Sequence, residues 1–249
     1  MTLRTITFLQ SPMKWALWQY HTSFIGLLRS QTFTYPVSKA LLTSKSMRLV
    51  NPRSHAVKTD QVSMLVSASS IRGLSDEEVL ARLAKGFFGG FIFLPERTAM
   101  RWGIHKWLPV KFAGLESSPD EKVLWKASEI PKSSLLQVGD VISGAFKMTD
   151  YHLQGPSEFS TSYVDFCFGS DESRFGGCHR FAIIREASGE SNADGETEGN
   201  KEEQFKVLLE HFRCNPQINA DSWAEYIPWV HYWYAMLLFA DAVRTLLSK

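Results

Sequence analysis

Cysteine is scarce in this chain of 249 residues, which contains only Cys167, Cys178 and Cys214. No two of them form a CxxC pair, so the sequence indicates neither a disulfide scaffold nor a thiol redox motif. An odd number of thiols is typical of a reducing compartment. The chain must therefore gain its stability from a hydrophobic core, for which its 44% of hydrophobic residues is sufficient.

Signature motifs of the common enzyme classes are also missing. The sequence has no GxSxG, no Walker-type GxxxxGK and no GxGxxG. A nucleophile-elbow hydrolase, a P-loop nucleotide-binding protein and a dinucleotide-binding fold are therefore not indicated. Gly86, Gly89 and Gly90 form a small cluster, but no lysine follows that would reach a phosphate. We interpret the cluster as the stop of a helix.

Metal-ligand spacings and membrane-length apolar runs are absent as well. No two of the seven histidines have the spacing of a helical ligand pair, and Asp150 with His152 gives only two ligands. The sequence thus predicts no metal site and no cofactor. The longest apolar stretch, residues 226–240, is interrupted by Pro228 and His231 and is shorter than the about 20 residues that span a bilayer.

Acidic residues are missing from the first part of the chain. Residues 1–59 contain eight lysines and arginines and no acid, and the first acid is Asp60. The other 190 residues carry 19 basic and 26 acidic residues, a net charge of −7. A basic segment joined to an acidic body is not the profile of a nucleic-acid-binding fold, so no nucleic acid is expected as a partner.

The first 30 residues leave three interpretations open. Lys14, His21 and Arg29 recur at near-helical spacing in a segment without acids, which is typical of a mitochondrial transit peptide. With Trp15 and Trp18, the same segment is suited to contact with a membrane surface. The third interpretation is a helix packed on the domain. The location therefore stays open between intracellular, mitochondrial and membrane-associated.

The remaining residues predict a domain of class α+β over residues 60–249, preceded by a basic N-terminal extension over residues 1–59. Hydrophobic periodicity predicts a strand at 61–69 and helices at 75–85 and about 95–107. Antiparallel strands are predicted at 122–126, 141–150, 159–169, 178–185 and 205–213, and a long helix from Pro228 to Leu247. Residues 186–204, with seven acids and one lysine, predict a disordered loop. The expected architecture is a curved antiparallel sheet wrapped around the C-terminal helix.

Several short motifs also resemble those of a known family. They are Arg101-Trp102, Leu108-Pro109, the Val-Gly-Asp-Val of 138–141, the Val-Asp-Phe-Cys-Phe-Gly-Ser of 164–170 and the Gly-Cys-His-Arg-Phe of 177–181. Together with the terminal helix, they are similar to an uncharacterised family of bacterial and plant proteins known as a domain of unknown function. The resemblance covers about residues 90–247. It implies a START-like (SRPBCC) helix-grip fold, a group that includes polyketide cyclases and lipid carriers.

A cavity between the sheet and the C-terminal helix is what this resemblance implies. The family provides no catalytic residues to transfer, and His179 stands where it usually has an acid. Tyr163 and Asp165 share one face of their predicted strand. If that face lines the cavity with those of His179 and His211, Asp165, His179 and His211 become candidate catalytic acids and bases. The competing interpretation is that Asp165 forms a structural ion pair with Arg180 or Arg213 on the outer face.

The C-terminal helix supplies the other candidate residues. Val230, Trp233, Tyr234 and Leu237, together with Tyr163 of the sheet, are predicted to bind an apolar ligand, because aromatic residues with polar tips are suited to a cavity wall. The first hypothesis is therefore a carrier or binding protein for a hydrophobic small molecule. The alternatives are a cofactor-independent cyclase, isomerase or dehydratase acting on a polyketide- or terpenoid-like compound in specialised metabolism, and a membrane-associated organelle protein.

Overall fold

The structure, a computed structural model, describes residues 24–115, 119–154, 160–185, 204–221 and 228–248. Its strands are β1 (Thr32–Thr34), β2 (Val57–Ser67), β3 (Val123–Leu124), β4 (Val141–Ile142), β5 (Phe146–His152), β6 (Ser160–Gly169), β7 (Gly176–Arg185) and β8 (Gln204–Cys214). Its helices include α1 (Lys39–Leu42), α2 (Lys45–Val50), α3 (Asp76–Gly89), α4 (Leu94–Arg101) and α5 (Pro228–Leu247). Short 3-10 turns lie at Ala68–Ile71, Ile104–Trp107 and Ala127–Glu129.

The strands form one curved, unclosed sheet in the order β1-β2-β8-β7-β6-β5-β4-β3. All neighbouring strands are antiparallel except the short β3 and β4, which are parallel. The C-terminal helix packs on this sheet. The prediction of an α+β chain with a curved sheet and a long terminal helix is confirmed at this level, and α5 has the predicted bounds.

Helix α3 covers the middle of one sheet face, which we call the inner face. The side chain of Ser75 accepts a hydrogen bond from the backbone amide of Glu78 and caps the helix, as its sequence indicates. Phe87 and Phe88, near its other end, pack on Phe166 and Phe181 of the sheet. This aromatic layer forms the centre of the main hydrophobic core.

Helix α5 reaches this core by packing closely against α3. A Cβ atom built on Gly86 would lie 2.6 Å from the Cα of Ala242, so the two backbones can touch only at a glycine. The prediction that the glycine cluster ends the helix is confirmed for Gly89, its last residue, and Gly90, its C-cap. It is wrong for Gly86, because α3 continues through this residue, which instead allows the two helices to pack closely.

The other sheet face, which we call the outer face, is covered by residues 37–50. Leu41 of α1 and Val50 of α2 pack there with Cys167 and Cys178 in a second, smaller core. Strand β1 pairs with β2 at the sheet edge. The segment 1–59, expected as an extension, thus contributes an edge strand, the outer helices and the start of β2.

Two elements differ from their sequence predictions for local reasons. The helix expected at 95–107 is divided by Gly103, whose φ of 110° lies in the left-handed region and separates α4 from a 3-10 turn. The strand expected at 141–150 is divided by a turn at Ser143 and Gly144, both at positive φ. The predicted N-terminal targeting helix and the acidic loop at 186–204 lie outside the described residues, except for residues 24–30 and Gln204.

Within the described ranges, none of the helices combines the length and the hydropathy needed to cross a bilayer.

Candidate functional site

A cavity of about 410 Å³ lies between the inner face of the sheet and the helices α3, α4 and α5. Its apolar wall includes Phe87, Phe93, Met100, Phe146, Phe168, Leu209 and Leu238. Its polar residues are Glu96, His179, His211, Arg213, His231 and Tyr234. A mostly apolar pocket of a few hundred cubic ångströms with a few converging polar groups is typical of a small-molecule site.

Three imidazole rings form a stack along one wall of the cavity. His179 of β7 and His211 of β8 lie directly opposite each other in the sheet, and their ring centroids are 4.7 Å apart. His231, in the first turns of α5, stacks on the other side of His211 at 4.8 Å. The ring centroid of Phe168 lies 5.2 Å from that of His179, so Phe168 packs against the same stack. The strand register and the position of α5 thus bring together three histidines that are distant in sequence.

A carboxylate and a guanidinium surround the second and third rings. Nη1 of Arg213 lies 2.7 Å from Oδ2 of Asp60, 2.9 Å from Nε2 of His231 and 3.2 Å from Nδ1 of His211. The same Asp60 oxygen lies 3.0 Å from Nε2 of His231 and 3.4 Å from Nδ1 of His211. We call Asp60, His211, Arg213 and His231 the inner cluster. Asp60 and His211 are opposite one another on β2 and β8, which fixes their separation.

The surroundings of Asp60, His211 and His179 shift the pKa values of these side chains strongly. Burial on its own raises the pKa of Asp60, but attraction and hydrogen bonds from His211 and His231 outweigh burial and hold that pKa well below its usual range. Burial lowers the pKa of His211 to about 4, although Asp60 opposes this. Burial, with repulsion from His211, also holds the pKa of His179 well below its ordinary value. At neutral pH, Asp60 is thus ionised while His179 and His211 are neutral.

His179 has a further property that sets it apart. Its Nδ1 atom is buried and has no hydrogen-bond partner. Its ring is surrounded by aromatic rings, including Phe87 at 5.2 Å and Phe146 at 5.9 Å. A buried polar atom without a partner costs free energy. This nitrogen has almost no accessible surface, although the His179 side chain as a whole lines the cavity.

A second polar pair lies on the helical side of the cavity. The Tyr234 hydroxyl of α5 bonds to the Glu96 carboxylate of α4. Burial raises the pKa of Glu96, and burial together with Glu96 raises that of Tyr234. The bond connects α4 to α5 and places a carboxyl and a phenol on the helical wall of the cavity, which also contains His231.

The geometry of Asp60, His211 and His231 also resembles that of a metal site. One ligand atom from each lies within 4.8 Å of the other two. The sequence predicted no metal here, because these residues come from three separate elements and no spacing reveals them. However, Nη1 of Arg213 lies within 3.2 Å of all three atoms, in the position that a cation would need. The arrangement is therefore a hydrogen-bonded cluster around a guanidinium, which a metal could enter only if Arg213 moved.

The sequence-predicted site residues separate into two groups. His179, His211 and Tyr234 line the cavity as expected. Asp165 and Tyr163 do not, because alternation along β6 directs Val164, Phe166 and Phe168 to the inner core and Asp165 to the outer face. The convergence of Asp165 with the two histidines is thus wrong. The competing interpretation is confirmed, since Asp165 accepts bonds of 2.7 and 2.8 Å from Nε and Nη2 of Arg180.

The predicted ligand residues on α5 also divide. Val230 and Trp233 are exposed on the surface, at 43% and 54% of their area, and do not line the cavity. Leu237 is partly buried but also lies away from the cavity wall. Tyr234, Ala235 and Leu238 face the cavity instead, together with His231. The inward face of the helix is therefore centred on residues 231, 234, 235 and 238.

Sequence reasoning missed Asp60, Glu96, Arg213 and His231 as site residues. A signal for Asp60 exists, because it shares its strand parity with Val62, Met64 and Val66, which are the apolar residues of the inner face. Arg213 shares the parity of His211 in the same way. A signal for His231 exists too, because it precedes Tyr234 by three positions and therefore shares its helix face. The sequence carries no comparable signal for Glu96.

No protein-family model, no curated protein and no solved structure is significantly similar to this chain.

Proposed function

We propose that this protein binds an apolar small molecule in the cavity between its sheet and its helices. The observation that carries this proposal is the cavity itself, whose volume of about 410 Å³ suits one small ligand and whose walls are largely aromatic and aliphatic. His179, which lines the cavity and whose pKa is held well below its ordinary value by burial, defines a polar point within these walls. The ligand is therefore an apolar molecule with a hydroxyl or carbonyl group, which can bond to a neutral imidazole.

The proposal includes a START-like helix-grip fold and membership of the domain-of-unknown-function family that the sequence motifs resemble. Support comes from the curved sheet with its long terminal helix and from a cavity in the position that such a fold would give it. A carrier role requires only the apolar walls. Since one fold serves many functions, the site decides between a carrier and an enzyme.

The inner cluster favours a second candidate, a cofactor-independent cyclase, isomerase or dehydratase for a polyketide- or terpenoid-like compound. A histidine beside a carboxylate can act as a general base, because the carboxylate stabilises the imidazolium that forms. His231 is best placed for this role, because its Nε2 lies 3.0 Å from Oδ2 of Asp60, its side chain is 24% exposed, and it lines the cavity. Arg213 would stabilise a developing enolate or alkoxide oxygen.

Binding is tested with an apolar fluorescent dye, Nile red, and with native mass spectrometry of protein purified from its own host. Tyr234→Ala removes a cavity wall and Ala99→Phe fills part of the cavity, and both should weaken dye binding. Trp233→Ala, next to Tyr234 but on the exposed side of α5, is the matched control and should bind dye like the wild type. Equal dye binding by all four proteins would refute the cavity as the site.

The carrier and enzyme candidates are distinguished by the co-purifying molecule. It is incubated with wild-type protein and with His231→Gln, and both mixtures are analysed by mass spectrometry. Conversion to an isomer, a cyclised or a dehydrated product by the wild type alone supports the enzyme. Recovery of the unchanged molecule from both proteins supports the carrier.

A further inference from the structure

Five large aromatic side chains are exposed to solvent on two segments beside the cavity. Trp102 and Trp107 are 86% and 85% exposed, and the other three are Phe91, Trp229 and Trp233. We call these five residues the aromatic rim. Tryptophan is on average a highly buried residue, so a group of such side chains in water indicates a surface that is covered in another state of the protein.

The segment around Trp102 and Trp107 borders the cavity. Ile104, which lies between these two residues in sequence, lines the cavity and is itself 46% exposed. On α5, Trp229 and Trp233 lie on the solvent side of the helix, opposite His231 and Tyr234, which line the cavity. The bond between Glu96 and Tyr234 connects α4 to α5. The aromatic rim is thus on the solvent side of α4 and α5, and it reaches the edge of the ligand site at Ile104.

Positive charge is interleaved with the aromatic rim. Residues 97–111 contain Arg97, Arg101, Lys106 and Lys111 and no acid. Arg101, Lys106 and Lys111 are exposed, while Arg97 bonds to the carbonyl of Phe88. Exposed tryptophans among lysines and arginines are the composition that favours the interface of an anionic bilayer.

We propose that the aromatic rim and the basic residues of 97–111 dock this protein on the surface of an anionic lipid bilayer. The tryptophans enter the headgroup region and the basic side chains contact anionic headgroups. The edge of the cavity then lies against the apolar part of the membrane. This inference concerns the surface rather than the ligand, so it holds whether or not the proposed cavity function is correct.

Other occupants fit the surface less well. A second copy of the chain would bring the same basic residues together and repel. Residues 1–23 contain Arg4 and Lys14 and no acid, so they lack complementary charge. Residues 186–204 are acidic, but their only apolar side chains are Ala187 and Ala193, which cannot cover tryptophans.

The test measures co-sedimentation of the full chain with vesicles of phosphatidylcholine alone and of phosphatidylcholine mixed with phosphatidylserine. The wild type should bind the mixed vesicles, with a blue shift of its tryptophan emission, and bind the neutral vesicles at least about tenfold more weakly. The double variant Arg101→Glu, Lys106→Glu should lose at least about tenfold in affinity, because each basic residue near an anionic surface contributes a roughly fivefold gain. Trp102→Ala with Trp107→Ala should lose about tenfold or more on both vesicle types, since the apolar contact is removed.

Matched controls separate docking from general charge or folding effects. Lys39→Glu with Lys45→Glu makes the same charge change at exposed sites on the outer face and should bind mixed vesicles nearly as the wild type does. Tyr35→Ala removes an aromatic residue that is 69% exposed and lies outside the aromatic rim. No vesicle binding by the wild type, or equal losses in the rim variants and the controls, would overturn the proposal. A tryptophan-dependent dimer that forms in the absence of vesicles would also overturn it. Unchanged Nile red binding in the rim variants would show that ligand binding in the cavity does not depend on membrane docking.

Discussion

The two faces of the sheet bury charged residues in different ways. On the outer face, Asp165 and Arg180 are direct cross-strand partners joined by two hydrogen bonds of 2.7 and 2.8 Å. The guanidinium carbon also lies 3.8 Å from the centre of the Tyr163 ring. On the inner face, the single Oδ2 atom of Asp60 is approached by His211, Arg213 and His231. The Asp165 carboxylate has one charged partner, joined through both of its oxygens, whereas one oxygen of Asp60 is shared by three residues.

This difference separates a structural pair from a site. The outer pair uses both carboxylate oxygens and two guanidinium nitrogens on each other, under a layer of apolar side chains. Burial on its own lowers the pKa of Arg180, but the bond with Asp165 raises it above its ordinary value, and burial raises the pKa of Asp165 although Arg180 opposes this. The inner cluster adjoins a cavity and a histidine without a partner. A carboxylate shared by several partners and a histidine nitrogen without a partner, both beside a cavity, are features expected of a catalytic or binding site.

The largest expected effect is that of breaking the outer pair. Asp165→Asn leaves the Arg180 charge buried without a counter-ion, so the free energy of unfolding should fall by about 3–5 kcal/mol. Urea unfolding at neutral pH measures this loss. Asp150→Asn is the matched control on the neighbouring strand, because this carboxylate is only partly buried and accepts one bond from Tyr163. Its loss should stay below about 1 kcal/mol.

A double variant sharpens the same comparison. Asp165→Leu with Arg180→Met replaces both charges by apolar side chains, and its stability should lie within about 2 kcal/mol of the wild type. If the single Asp165→Asn variant were as stable as Asp150→Asn, the description of the outer pair as a structural element would be refuted.

The inner face should determine how stability depends on acid. The folded pKa of His211 is lowered to about 4 from an ordinary value of 6.5, so the unfolded chain binds this proton first as pH falls. The stabilisation is complete above about pH 6.5 and is lost between about pH 6.5 and 4, in total roughly 3 kcal/mol. His179, whose pKa is also lowered, adds a loss of the same sign over this window.

Urea unfolding across this pH range tests that expectation. A His211→Phe variant should have a smaller slope. A stability that does not change between about pH 6.5 and 4.5 would contradict the neutral, buried state assigned to the histidines.

The sequence predicted the elements well because each one has a strong local signal. Ser75 with an apolar stripe predicted α3, and the continuous pattern after Pro228 predicted α5 with the correct bounds. Alternation placed His179 with Phe181 and His211 with Leu209, which the structure confirms. Local periodicity is sufficient for these conclusions because neighbours in sequence remain neighbours in the element.

The site could be predicted only in part, because its residues meet through long-range pairing. Alternation separates the two faces of a strand but does not say which face lies inside, and for this reason Asp165 was placed with the histidines. Asp60 and His231 are 171 positions apart in sequence and meet only because β2 pairs with β8 and α5 packs nearby. No spacing rule contains that information.

The smallest expected effect concerns His179 and sharpens the difference between its face and the opposite one. His179→Phe replaces an imidazole that has an unpartnered Nδ1 by a ring that suits its aromatic surroundings. The free energy of unfolding at neutral pH should therefore rise by about 1 kcal/mol, because the cost of a buried polar atom is removed. Its dependence on acid should also weaken, since one buried neutral histidine is lost. The exposed His152→Phe is the matched control and should leave both quantities unchanged within error.

In the binding assay, His179→Phe should weaken the binding of a long-chain alcohol relative to that of the alkane of equal length, whereas the wild type should bind the alcohol more tightly. If His179→Phe instead lowered the free energy of unfolding by about 2 kcal/mol, the imidazole would already have its polar contacts within the core and would not be the polar contact of a ligand.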